Sequence, residues 1–171
     1  MYHDEEWGVP IHNDRKLFEF LILESFQAGL NWELILNKRE DFRKSFDNFE
    51  PNKIASYSNK KINQLMNNPS IIRNRAKIMA TIHNACLVID IQKEYGSFDK
   101  YIWSFGIENQ TKHAYNDISE LPSESNESRA MSNELKKRGF KFVGPKICYA
   151  FMQAVGMVND HLIQCFRHDL I

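Results

Sequence analysis

Cysteine is scarce in this 171-residue chain, and long apolar runs are missing. The three cysteines (Cys86, Cys148, Cys165) are odd in number and far apart, which argues against a disulfide framework and for a reducing, cytoplasmic setting. No stretch approaches the roughly 18–20 apolar residues of a membrane span. The N-terminus, Met1-Tyr2-His3-Asp4-Glu5-Glu6, is polar and acidic and does not read as a secretory signal. An excess of one charge is also lacking, because 22 basic residues balance 22 acidic ones. A nucleic-acid surface, if present, must therefore be local. Period-2 alternation, internal repeats and low-complexity tracts are absent too. What remains is an ordinary balance, 43% hydrophobic and 26% charged, in a length that suits one domain over residues 1–171.

Helical signals fill that domain, and the fold class is all-α. Asn13 or Asp14 can cap a first helix that Gly29 stops. Asn31 can cap a second helix from Trp32 to about Asp47, with Pro51 at its exit. Ser58 caps a short third helix through Ile62, Leu65 and Met66. The longest runs from about Ile71 to Tyr95, with Ile71, Ile78, Ile82, Ala85 and Ile89 on one stripe, and Gly96 ends it. Ser97 caps a short aromatic helix, Phe98 to Phe105. Residues 108–126 are polar, contain Pro122 and read as a long loop. A helix to Arg138 follows.

Glu24 is the anomaly in this pattern. Leu17, Leu21 and Ala28 recur at helical spacing, and Glu24 falls on their face. A carboxylate there is either a buried ion satisfied by an Arg or backbone donors, or the floor of a pocket. Pattern alone leaves both open.

The segment from Leu135 to Phe151 reads as helix, tight turn, helix. Gly139 can close the first helix with positive φ, Gly144 turns the backbone sharply, and Pro145 suits the first position of the next helix. Phe140, Phe142 and Val143 supply apolar anchors. Free amides beside Gly144 form an anion site, ringed by Lys136, Lys137, Arg138, Lys141 and Lys146. A solvated basic hairpin is the plain alternative. The Gly-x-x-x-x-Gly-Pro pattern resembles a helix-hairpin-helix element that grips DNA phosphates, and Ile71 to Ile78 resembles the segment preceding that hairpin in glycosylases. His161 and Cys165 stand at i and i+4, a helical chelating pair. His3 is a candidate third ligand that spacing does not connect. His12, His83, His113 and His168 read as surface or structural, and Cys86 and Cys148 as small core residues.

Four motifs in register add to this reading. Tyr2-His3-Asp4-x-Glu6-Trp7-Gly8, Leu23-Glu24-x-x-Gln27-Ala28-Gly29-Leu30-x-Trp32, Lys136 to Gly144, and Val158-Asn159-Asp160-His161-x-x-x-Cys165 occur in that order. Together they resemble the bacterial 3-methyladenine DNA glycosylase I family. The resemblance implies a helix-hairpin-helix glycosylase fold with a zinc element joining the termini. It implies that Glu24 is the pocket carboxylate, that Tyr2 hydrogen-bonds the base and that Trp32 stacks on it. It places Gly29 and Leu30 at a tip that holds open the gap left by a flipped base. Gly144, Lys141 and Lys146 then meet the DNA backbone. His3, His161 and Cys165 match three of four zinc ligands. Asp160 is a secondary catalytic candidate, with orientation of the His161 segment as its other role.

Family members carry further residues ahead of the Tyr-His-Asp motif, among them a fourth, cysteine ligand. The expectation here is an incomplete, weak zinc site whose fourth place is taken by water or by a side chain such as His168, and a partly roofed pocket. The expected activity is monofunctional hydrolysis of the 3-methyladenine glycosidic bond in alkylated double-stranded DNA by a monomer, with no membrane role. The alternative is a catalytically impaired protein that binds DNA damage.

Overall fold

The Asn13 side chain accepts a hydrogen bond from the Lys16 amide at 3.0 Å, and this cap starts α2 (Asp14–Gln27). The computed structural model describes residues 2–106 and 110–171 and sets the other helices around α2. Every residue from Leu17 to Phe26 is buried, so α2 is a central helix covered on all sides. The stripe of Leu17, Leu21 and Ala28 understated this. Gly29, at φ +79°, supplies the left-handed residue that turns the chain out of α2.

Before α2 comes α1 (Tyr2–Glu5), and after it α3 (Trp32–Asn37), α4 (Arg39–Ser45), α5 (Pro51–Ala55), α6 (Asn59–Asn67), α7 (Arg75–Tyr95) and α8 (Phe98–Trp103). The single helix expected from Trp32 to Asp47 is divided at Lys38. That side chain reaches across to the carbonyls of Pro69 and Ser70. It ends early as well, because Asp47, Asn48 and Phe49 all take positive φ and fold Phe49 into the core beside Phe46. The long helix starts at Arg75 rather than Ile71, since Asn74 caps it through the Lys77 amide. Within it Ile78 and Ala85 are buried, whereas Cys86 is exposed, which corrects its assignment to the core. Cys148 is buried as expected. The aromatic helix stops at Trp103, short of Phe105.

The hairpin is α9 (Asn126–Lys137) and α10 (Pro145–Ala154), which pack together, with α10 also against α2. Two residues of β1 (Thr111–Lys112) pair in parallel with β2 (Val158–Asn159), a short ladder that periodicity did not announce. The polar 108–126 stretch thus has local structure. Its residues 108 and 109 lie outside the described residues.

The N-terminal segment is laid over the end of α10. Gly8 N donates to Gln153 O at 3.1 Å and Ile11 N to Val155 O at 3.0 Å. Gly156 makes this approach possible, because a Cβ there would stand 2.3 Å from the Val9 carbonyl carbon. No helix among the described residues is long and apolar enough to cross a membrane.

Candidate active site

A cavity of ≈ 200 Å³ opens beside the C-terminal half of α2, lined by Tyr2, Trp7, Glu24, Gln27, Trp32, Ala150 and Gln153. Four segments meet there. α1 brings Tyr2, α2 brings Glu24 and Gln27, α3 brings Trp32, and one face of α10 brings Ala150 and Gln153 at i and i+3. Tyr2 packs against Trp32 with ring centroids 5.7 Å apart.

Glu24 is 3% exposed and accepts no hydrogen bond among the described residues. Burial alone pushes its carboxyl up to about 8. The Tyr2 hydroxyl is buried and also lacks a partner among the described residues. Burial holds the phenol well above its ordinary range, and the Glu24 charge adds to this. Two neighbouring unpaired polar groups in one cavity are groups prepared for a ligand.

Beside the cavity, Gly29 and Leu30 form an exposed tip, and nothing lies within 4 Å of a Cβ at Gly29. Buried Lys77 secures the base of the tip, donating to Phe26 O at 2.8 Å and Ala28 O at 2.7 Å. The hairpin turn is held just as firmly. Asn84 exchanges two hydrogen bonds with the Lys141 backbone, and Ser132 donates to Val143 O. Gly139, at φ +98°, closes α9, and Pro145 opens α10. At Gly144 nothing lies within 4 Å of a Cβ, so the first amides of α10 are approachable.

The basic ring around this turn is smaller than expected. Arg138 is committed to Glu94 at 2.7 and 3.1 Å and lies over the rings of Tyr95 and Tyr101. Lys137 pairs with Glu134. Lys136, Lys141 and Lys146 remain exposed and without ion pairs among the described residues. Phe140 and Val143 are buried anchors, but Phe142 is not.

His3, His161 and Cys165 converge although the last two lie in irregular backbone rather than on a helix. Sγ of Cys165 lies 3.7 Å from His3 Nε2 and 3.6 Å from His161 Nδ1. A tetrahedral zinc with one sulfur and one nitrogen ligand separates them by about 3.6 Å. The other nitrogen of each histidine is engaged, His3 Nδ1 with Asp4 at 2.8 Å and His161 Nε2 with the Trp7 carbonyl at 3.1 Å. Those bonds place the ring protons away from the sulfur and leave the facing nitrogens free to ligate. The three residues therefore fit a metal. His168 does not join them, since its two nitrogens meet Asp169 and the His113 carbonyl.

Asp160 is not on the cavity wall. Its buried carboxylate accepts from His113 at 2.6 Å and from Tyr149 and Gln153 at 2.7 Å each. These bonds tie α10 to the His113 and Asp160 segments, the geometry of a positioning residue. Gln153 and Ala150 were not found by sequence reasoning. Their only signal is a shared face on α10, which any surface pair would show.

A helical hairpin beside a cavity with an unpaired buried carboxylate, in an all-α frame, is the architecture of the all-α DNA glycosylases. The chain belongs to the methyladenine glycosylase family, whose model matches residues 1–168. It is 44% identical to DNA-3-methyladenine glycosylase 1 of Escherichia coli strain K12 over 164 residues, 96% of this chain and 88% of that one. Two solved relatives superimpose closely. A tyrosine-to-phenylalanine variant of 3-methyladenine DNA glycosylase I in complex with 3-methyladenine gives a TM-score of 0.94 at 35% identity, covering 98% of this chain and 90% of that one. A glutamate-to-glutamine variant from Staphylococcus aureus gives 0.93 at 35% identity, with the same coverage.

Proposed function

We propose that this protein is a DNA-3-methyladenine glycosylase and that Glu24 reads the flipped base. The observation that carries this reading is the buried carboxylate, free of partners, at a cavity walled by Tyr2 and Trp32. A tyrosine and a glutamate are also the residue types altered in the two solved relatives.

Methylation at N3 gives adenine a positive charge and weakens its bond to the sugar. Glu24 prefers to hold a proton in the empty cavity, and a cationic ring beside it favours the carboxylate. Neutral adenine brings no such compensation, so charge selects the damaged base. Trp32 stacks on the ring, a cation–π contact worth about 0.5–2 kcal/mol. Tyr2 hydrogen-bonds the base edge. When the N9–C1′ bond breaks, its electron pair neutralises the ring, water oxygen bonds to C1′, and a proton leaves to solvent. Among the described residues the cavity lining contains no lysine to form a Schiff base, which supports hydrolysis without strand cleavage.

Gly29 and Leu30 enter the gap left by the flipped nucleotide. Gly144, Lys141 and Lys146 grip phosphates through α10 amides and ammonium groups. His3, His161 and Cys165 hold a structural zinc that staples the N-terminal segment, and with it Tyr2, to the C-terminal turns. Bound zinc would supply a cross-link between the two ends of the chain.

Incubation with methylated duplex DNA, followed by assay of released bases, tests the activity. Free 3-methyladenine should appear, and none above background would overturn the proposal. Metal analysis should find zinc that Cys165→Ser loses.

A further inference from the structure

Phe142 occupies a backbone position made for glycine. Its φ is +55°, in the left-handed region that a bulky side chain enters only at a cost. Glycine would sit there freely. The ring does not offset that cost by filling the core, because Phe142 is 39% exposed while Phe140 and Val143 on either side are buried. Its recorded ring contact is with Lys77 Nζ at 6.0 Å, the outer limit of a cation–π interaction.

The position is nevertheless tightly held. Ser25 Oγ donates to Phe142 O at 3.0 Å and to Leu21 O at 2.8 Å, tying the turn to α2. Asn84 clamps the preceding residue and Ser132 the following one. Lys77, which faces the ring, donates at 2.7 Å to Ala28 O, just before Gly29 and Leu30. Phe142 therefore stands on a rigid turn between two features, the Leu30 tip and the open amides at Gly144. Leu30 is also 39% exposed, so the tip presents an apolar side chain to solvent as the turn does.

We propose that Phe142 is a second apolar wedge, pressing on the base steps of duplex DNA alongside Leu30. This rests on reading the tip and hairpin as the DNA face. An aromatic ring on a rigid support is a suitable wedge, because unstacking a base step demands an apolar surface that does not yield. Leu30 would hold the gap at the flipped nucleotide. Phe142 would hold the bend on the hairpin side, where Lys141 and Lys146 already neutralise phosphates.

Phe142→Gly and Phe142→Leu separate a DNA contact from a structural one. Three measurements are needed: thermal unfolding, affinity for free 3-methyladenine, and affinity for a duplex with a stable abasic-site analogue. Phe142→Gly should unfold no earlier than wild type, since the backbone relaxes, and should bind the free base equally well. Its affinity for the abasic duplex should fall roughly tenfold with an unchanged salt slope. Phe142→Leu should retain most duplex affinity. Duplex affinity of Phe142→Gly equal to wild type would overturn the wedge. So would parallel losses of stability and free-base affinity, which would make the ring a structural cover for Lys77. Wild-type protein that binds no abasic duplex would remove the DNA-face reading itself, and the wedge with it.

Discussion

Glu19 and Glu24 stand little more than one turn apart on α2, and both are buried. Glu19 meets Arg39 Nε at 2.7 Å and Arg43 Nη2 at 2.7 Å, and Arg39 goes on to Glu6 at 2.7 Å. Glu24 meets no donor among the described residues and faces a cavity. The same residue type on the same helix thus serves two ends. Glu19 closes an ion network that binds the N-terminal segment to α2 and α4. Glu24 is left with its desolvation uncompensated. What distinguishes them is which element packs opposite. The α4 arginines lie over Glu19, and the aromatic side chains of Tyr2, Trp7 and Trp32 surround Glu24.

The contrast predicts opposite responses to mutation. Glu19→Ala leaves the buried Arg39 short of a partner and should cost about 3 kcal/mol of stability. Denaturant unfolding measures this, and a variant as stable as wild type would dissolve the contrast. Glu24→Gln should leave folding intact and lower excision from methylated duplex about a hundredfold, as loss of a preorganised electrostatic group does. Single-turnover release of 3-methyladenine provides the readout.

The pH response sharpens the difference further. Glu24 is raised from 4.5 unfolded to about 8 folded. A raised acid contributes stability that is present below its unfolded pKa and lost as pH climbs to the folded one. Wild type should therefore lose stability relative to Glu24→Gln between about pH 4.5 and 8, by on the order of 2 kcal/mol once partial wetting of the cavity is allowed for. Melting temperatures of both proteins across that range supply the test, and a constant gap would remove Glu24 from the desolvated site. The smallest effect concerns the hairpin. Lys141→Ala or Lys146→Ala should reduce the salt dependence of duplex binding by about one ion each without changing free-base affinity, whereas Arg138→Ala should act on stability, because its charge is spent on Glu94.

Much of the frame was legible in the chain. Caps at Asn13, Asn31, Ser58 and Ser97 were readable because their hydrogen bonds are local, and so were the stops at Gly29, Gly96 and Gly139. The break at Lys38 was not, since that residue's side-chain partners are carbonyls more than thirty residues on. The β1–β2 ladder was hidden for the same reason, being two residues long on each side. Helical spacing pairs His161 with Cys165, and the structure brings them together through irregular backbone instead. The two lie within a segment that Asn159 closes, its Nδ2 donating to His168 O and Ile171 O and its Oδ1 accepting from His161 N.

The helical class and the standing of Glu24 as an anomaly follow from residue types and their spacing, which act through local hydrogen bonds and periodicity, while the family is legible only as a resemblance carried by four motifs in register. The sequence could not say which of two buried carboxylates would be paired, that Arg138 would turn away from the hairpin, or that Phe142 would be exposed in a glycine-like backbone. Those outcomes depend on distant elements meeting in space, and a charge or an aromatic ring acquires its role only from the groups packed against it.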